Sequence, residues 1–211
     1  MVGALRRLTL VRHGETDWNR ERRLQGLTDS ELNDAGRLQA RALAERLRGT
    51  SFDALYTSPL VRASETAAIL GDVLELAPVR VPALRERDVG AWGGLTNDDA
   101  RHRFPDEWRR IAAGEDVALG GGETKAQVTA RMAETLDRIG ARHPSGSVLV
   151  VSHGLALKLL VCRLIGIDVR DCERLATGAN TSMTVFDIRD GAPRLAVYAD
   201  AGHLDGVTLP R

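Results

Sequence analysis

A chain of 211 residues, 43% of them apolar, can bury one well-packed core and is short for two independent ones, so a single domain over 1–211 is expected. Lys plus Arg and Asp plus Glu balance at 29 each with no block of like charge, which excludes a general basic field for nucleic acid or anionic lipid; any anion site must be local. The opening MVGALRRLTLVRHGE offers only short apolar pieces broken by arginines, too little for a secretory core or a membrane span, so a soluble cytoplasmic protein is expected.

In chain order, Leu8 to Arg12 reads as a buried strand, followed by a polar loop through Thr28. A helix then starts from an Asn33 cap, with Leu38, Ala42, Leu43 and Leu47 on one face. FDALYTSP at 52–59 is a second strand that runs into SPLVRASETAAILGDVL, where Ser58 suits an N-cap and Pro59 a first helical position. APVRVPAL at 77–84 reads as a short third strand. Residues 85–122, with Trp92, Pro105, Trp108 and most of the loop glycines, read as irregular with short helical turns at best. From Glu123 a long helix is marked by Val128, Met132, Leu136 and Ile139. SGSVLVVSHG then gives a fully apolar strand and LALKLLVCRLIG a buried helix. Thr181 to Ile188 and Arg194 to Tyr198, joined by RDGAP, read as a closing hairpin. Strand and helix alternate, which implies a layered α/β fold with a mostly parallel sheet. Cys162 and Cys172 fit neither CxxC nor zinc spacing and read as reduced thiols.

In such sheets ligands bind beyond the carboxyl ends of the strands. Three loops there carry suggestive side chains: Arg12 and His13 after the first strand, Arg62 after the second, His153 after the fourth. With Ser58 as cap, Arg62 falls in the first turn of its helix, where the macrodipole disfavours a cation by roughly 0.3–1 kcal/mol. That placement makes sense if an anion sits at the helix end, held by amides and guanidinium, and two arginines match phosphate oxygens better than lysines would. Taken alone, Arg62 reads as a surface arginine in an ordinary ion pair. His13 could be a metal ligand, a base, a nucleophile or a hydrogen-bonded core histidine. No HExxH or DxDxD pattern is present, and two arginines would repel a dication, so no metal is expected. GxSxG is also missing. What remains is histidine as a nucleophile on phosphorus, with arginines neutralising the phosphoryl oxygens and the second histidine donating to them.

The stretches RHGETDWN, SPLVRASETA, LRERDVGAWGG and VSHG, spanning residues 8 to about 155, resemble the histidine phosphatase superfamily, the phosphoglycerate-mutase-like enzymes. RHG alone would be a weak match; four motifs in order are a strong one. The resemblance implies a three-layer α/β/α sandwich, a phosphohistidine at His13, and a phosphate pocket of Arg12, Arg62 and His153 with Gly154 beside it. It implies that Asn19 also binds the phosphoryl group and that Gln25 and Gly26 line the substrate entrance. Glu86 would be the general acid, in the branch where no Asp follows the second histidine. A solvated loop carboxylate is the bland alternative for Glu86, and Glu15 and Asp88 are nearby competitors. Where the family often has Glu, this chain has Gly93. His13 must be neutral to attack; neighbouring guanidiniums would lower its pKa, and its other ring nitrogen should donate to a carbonyl such as that of Gly14. His102, His143 and His203 lie outside every motif and are expected at the surface. Trp92 and Trp108 are expected to pack within 85–122, the alternative being that either floors the substrate pocket.

The resemblance leaves two main activities, which differ in what receives the phosphoryl group. Mutases of the family are longer, carrying an insertion and a tail that shield the phosphohistidine, so the expectation is a phosphomonoester hydrolase acting on a small phosphorylated metabolite, with 85–122 covering the substrate. No cofactor, nucleic-acid or membrane partner is expected; a homodimer is a family-level expectation. Trp108-Arg109-Arg110 tempers the choice, since mutases bind a substrate carboxylate with an arginine pair in this region; the alternative is a solvated helix face beside Asp106 and Glu107. A rival from another class is a non-catalytic module that binds a phosphorylated ligand, which predicts loss of one of Arg12, His13, Arg62, Glu86 or His153. All five are present.

Overall fold

The apolar runs at 8–11 and 148–151 can be buried in full only if both faces of a sheet are covered. A computed structural model, which describes residues 2–208 and 210, shows how. Its elements are β1 (Arg7–Arg12), α1 (Asp17–Arg20), α2 (Asp34–Leu47), β2 (Ala54–Thr57), α3 (Val61–Leu74), β3 (Val79–Arg80), α4 (Asn97–Arg103) and α5 (Pro105–Ala112). They continue with α6 (Lys125–Arg142), β4 (Ser147–Ser152), α7 (Gly154–Ile165), β5 (Met183–Arg189) and β6 (Ala192–Asp200). Six strands form one sheet in the order β3-β2-β4-β1-β5-β6. The first four in that order are parallel, and β5 and β6 are antiparallel additions.

Alternation sorts the runs between two cores. Leu8, Leu10, Val148 and Val150 pack with Val128, Met132 and Leu136 of α6 and Leu159 and Leu160 of α7. Val11, Leu149 and Val151 face Leu43 and Leu47 of α2 and Ala63, Ala67 and Leu70 of α3. The result is the expected α/β/α sandwich. Among the described residues no helix is long and apolar enough to cross a membrane.

Several expectations are corrected. The buried face of α2 is Ala35, Gln39, Leu43 and Leu47 with neighbouring small residues, while Leu38 is exposed and Ala42 half-buried. Small Gly36 and Ala35 set the rotation of the helix, because the His13 loop lies against its first turn: a Cβ on Gly14 would stand 2.6 Å from Gly36 O. Helix α3 starts at Val61 and is capped by Leu60 without a side-chain bond. Ser58 turns toward the site described below, and Asp29 Oδ1 accepts the Val61 amide instead. β3 is only two residues long, since Pro82 starts a 3-10 turn. The 85–122 segment is not merely irregular. It holds α4, opened by a Thr96–Asp99 capping box, and α5, opened by Pro105. These helices close over a separate cluster of Val89, Trp92, Ala100, Val117 and Leu119, with Trp108 and Phe104 stacked on Trp92.

His102 is exposed as expected, but His143 and His203 are half-buried. His143 Nε2 lies 2.9 Å from the Tyr56 hydroxyl, and His203 Nε2 2.8 Å from Thr181 Oγ1. Both cysteines are free thiols.

Candidate active site

The register Arg12↔Ser152 and Thr57↔Val151 brings the ends of β1, β2 and β4 to one sheet edge. Chain connections leave β1 and β4 toward opposite sides of the sheet, so their ends form the crevice where ligands bind in open α/β sheets. His13 follows β1, His153 follows β4, and their ring centroids are 5.2 Å apart.

Both imidazoles are buried, and their hydrogen bonds fix their tautomers. A carbonyl can only accept, so Nδ1 of His13, 2.7 Å from Gly14 O, carries the proton and Nε2 keeps the lone pair. Burial, then the charges of Arg12 and Arg62, holds this imidazole well below the ordinary histidine pKa. His153 is neutral in the opposite sense. Arg62 Nε donates to its Nδ1 at 3.2 Å, so Nε2 carries the proton and donates to Ser58 Oγ at 2.8 Å. Its pKa is also well depressed, by burial first and then by Arg62.

Arg62 is fully buried, and burial pushes its guanidinium down to about 10. It donates to the carbonyls of Thr28 and Gly26, each at 2.8 Å, besides His153. Gly26 sits at φ 50°, where a Cβ would meet Val89 Cγ2 at 2.6 Å, so the carbonyl that anchors Arg62 depends on glycine. Arg12 Nη1 donates to Gly178 O at 2.7 Å, whereas its Nε is buried without a partner. Two crowded guanidiniums thus flank two neutral imidazoles, and an unpaired buried N–H remains. That combination attracts an anion with several oxygen acceptors.

Glu86 is the carboxylate whose charge reaches both Arg12 and Arg62. Its Oε1 accepts the amides of Arg87 (2.8 Å) and Ala156 (3.1 Å), and its Oε2 accepts that of Leu155 (3.2 Å), which places it on the N-terminus of α7. Of its competitors, Asp88 is occupied by the Gly90 amide, and Glu15 by Asn33 and Arg20. Gly154 opens α7 beside the Arg12 guanidinium. Asn19 stands at the rim: its Oδ1 accepts from Thr16 and from Asn180 Nδ2. Gln25 is buried and accepts from Ser30 Oγ at 2.6 Å. Arg109 and Arg110 do not present a free pair, since they are exposed and salt-bridged to Asp106 and Glu115.

Sequence reasoning missed several groups. Ser58 is a partner of His153 rather than a helix cap. Thr66 Oγ1 accepts the Gly14 amide at 3.0 Å. Arg131 of α6 donates to the carbonyls of Ala83, Arg85 and Glu86 and pairs with Glu123, which fastens the segment leading to Glu86. The 178–182 loop holds the backbone of Arg12 and His13. Main-chain acceptors leave no signature in residue types, though Arg131, next to Met132 on the half-buried flank of its helix, was a possible signal. Among the described residues no group of three or more His, Cys, Asp or Glu could hold a metal ion.

Comparison with known proteins agrees with this geometry. The chain is 34% identical over 164 residues to phosphoserine phosphatase 1 of Hydrogenobacter thermophilus, covering 77% of this chain and 78% of the relative. It is 38% identical over 205 residues to phosphoglycerate mutase-like protein 4 of Arabidopsis thaliana, covering 94% and 86%. The solved structure of Bacillus stearothermophilus YhfR superposes with a TM-score of 0.89 at 34% identity, covering 95% of this chain and all (100%) of that one. With residues 8–201 matching the model of the histidine phosphatase superfamily (branch 1), the paired histidines at one sheet edge have their explanation: the chain belongs to that superfamily.

Proposed function

We propose that this protein is a metal-independent phosphomonoester hydrolase that works through a phosphohistidine at His13 on small phosphorylated metabolites. The observation that carries it is the state of His13: neutral, with Nδ1 committed to Gly14 O and the Nε2 lone pair left free, beside two buried guanidiniums. The Nε2 lone pair attacks phosphorus in line with the ester oxygen, the P–N bond forms and the P–O bond breaks. Glu86 gives the departing oxygen its proton; Oε2, which accepts a single amide, is the oxygen free to carry it. Water then attacks the phosphohistidine while Glu86 takes its proton, and inorganic phosphate leaves. Such acid–base help is typically worth ~10²–10⁴-fold.

Arg62 and Arg12 hold the phosphoryl oxygens, Arg12 through the donor that lacks a partner here. His153, whose Nε2 carries the proton, joins the donors to the arriving dianion, while His13 keeps the lone pair that attacks. Asn19 reaches the phosphoryl group from the rim, with Gly154 beside it. Gln25 and Gly26 border the substrate entrance, and 85–122 covers the alcohol end. The phosphoserine phosphatase relative supports a phosphatase, and the solvated Arg109 and Arg110 lend nothing to a mutase.

The test is turnover of p-nitrophenyl phosphate with and without EDTA, by wild type and His13→Ala. Hydrolysis that is indifferent to EDTA and lost in the variant is expected. Activity persisting in His13→Ala would remove His13 as the nucleophile.

A further inference from the structure

The carbonyls of Arg12 and His13 share one donor, the Thr181 amide, at 3.1 and 3.3 Å. Asn180 Nδ2 adds a second bond to the His13 carbonyl at 3.0 Å and reaches Asn19 Oδ1 at 3.1 Å. Ser182 O accepts the Arg12 amide, and Gly178 O accepts its guanidinium. The loop 178–182 therefore sets where the nucleophile and the phosphate-binding arginine stand.

That loop is strained at one point. Thr181 is fully buried and sits at φ 58°, a left-handed conformation that a β-branched residue adopts only when its surroundings hold it there. The holding contact is legible from its single hydroxyl hydrogen. Thr181 Oγ1 donates to Asn180 O at 2.7 Å, so toward His203 Nε2, 2.8 Å away, it accepts. His203 is consequently the Nε2–H tautomer, and its Nδ1, buried without a partner, bears only a lone pair. A proton there would be a buried donor with nothing to bind. Burial, then the charge of Arg46 from α2, keeps the ring below its ordinary pKa, against the opposing pull of Asp200 and Asp205. The ring comes from a 3-10 turn (Gly202–Leu204) packed on α2, remote in sequence from every motif of the site.

We propose that His203 is a positioning residue: its Nε2–H holds Thr181 left-handed, and the loop so fixed aligns the main chain of Arg12 and His13 and the side chain of Asn19. The kinetic consequence rests on the hydrolase reading above; the geometric one does not. His203→Phe removes the donor, and His203→Gln restores one. In His203→Phe, kcat for p-nitrophenyl phosphate should fall on the order of 10-fold, since a misplacement of about 1 Å can cost up to ~10²-fold. Inhibition by inorganic phosphate should weaken less than the rate falls, because Arg62 and His153 stay anchored while Arg12 and Asn19 shift, and His203→Gln should recover most of the rate. In a Thr181→Gly background, where glycine adopts positive φ unaided, His203→Phe should have little further effect.

Ring 15N chemical shifts of histidine-labelled protein supply a readout independent of turnover. The His13 signals should move in His203→Phe and return in His203→Gln. Unmoved His13 signals in a folded His203→Phe protein would overturn the proposal. So would a rate loss that tracks melting temperature and is additive with Thr181→Gly, which is what a merely structural role gives. A wild type that turns over no phosphomonoester would defeat the hydrolase reading alone, leaving the shifts to decide the positioning.

Discussion

Around His13 and His153 nearly every ring nitrogen and guanidinium is tied to a neighbour before any ligand arrives, whereas the outer face of α4 and α5 leaves its charges in solvated pairs. The contrast separates two jobs. Binding a phosphoryl group demands fixed donors in a dry site, where Coulomb terms are strong and reorganisation is small. Covering an alcohol, the job proposed for 85–122, demands shape, which the stacked Trp92, Phe104 and Trp108 would supply at little electrostatic cost. Variants at the fixed end should damage the chemical step, and variants on the outer face should barely register.

The largest effect should come from Arg62→Ala. It removes a phosphoryl donor and the partner of His153 Nδ1 together, so kcat/KM for p-nitrophenyl phosphate should drop on the order of 10²–10³-fold, as for loss of one preorganised donor. A loss under about threefold would show that the anion does not lie between Arg12 and Arg62.

Arg131→Met should come next, and it sharpens the comparison because Arg131 touches neither histidine. Its guanidinium ties the carbonyls of Ala83, Arg85 and Glu86 to Glu123, so the variant should lose about 1–3 kcal/mol of stability in urea titrations and about tenfold in kcat. If stability falls with kcat intact, the alignment of Glu86 does not depend on α6.

Proton uptake gives a smaller, graded effect. His13 and His153 both titrate well below 6.5 in the folded chain, so as pH falls the unfolded chain binds protons first. Stability present near pH 7 is therefore lost as pH drops through about 6.5 toward the depressed folded values. The urea midpoint should fall between about pH 7.5 and about pH 5.5, and His13→Gln should fall less. Equal falls in both proteins would mean that His13 is not held neutral by burial.

The same contrast governs what could be read in the sequence. Arg12, His13 and His153 were legible because they close apolar strands, a pattern with few structural uses, and Arg62 because a cation in the first turn of a helix calls for an anion there. Glu86 was legible only through its motif, since nothing local shows that its carboxylate caps α7. Ser58 misled because Ser-Pro ahead of a helical run is a good start signal, yet its hydroxyl goes to His153. Leu38 misled because the buried face of α2 is built from small residues and Gln39, against which the His13 loop rests. Helices α4 and α5 were missed because they are short and polar, α4 giving Ala100 and α5 giving Trp108 to the cluster around Trp92 in place of a long apolar stripe. The 178–182 loop was out of reach, since its work is done by amides and carbonyls that every residue carries.

At the other end of the scale stand Arg109→Ala and Arg110→Ala. Each side chain is more than half exposed, at 77% and 55%, and each is paired to a carboxylate on its own surface. Exposed pairs of this kind contribute about 0–1 kcal/mol, so stability should move by no more than about 0.5 kcal/mol. Turnover of p-nitrophenyl phosphate, which has no second charge to recognise, should stay within about twofold. The same variants assayed on phosphoserine and 3-phosphoglycerate, which both carry a carboxylate, decide whether the solvated face has a role. Unchanged KM on both confines recognition to the inner face of the segment, whereas a KM raised tenfold or more on the carboxylate substrates alone would show that α5 turns its arginines inward when substrate binds, and the division between a chemical end and a passive cover would fail.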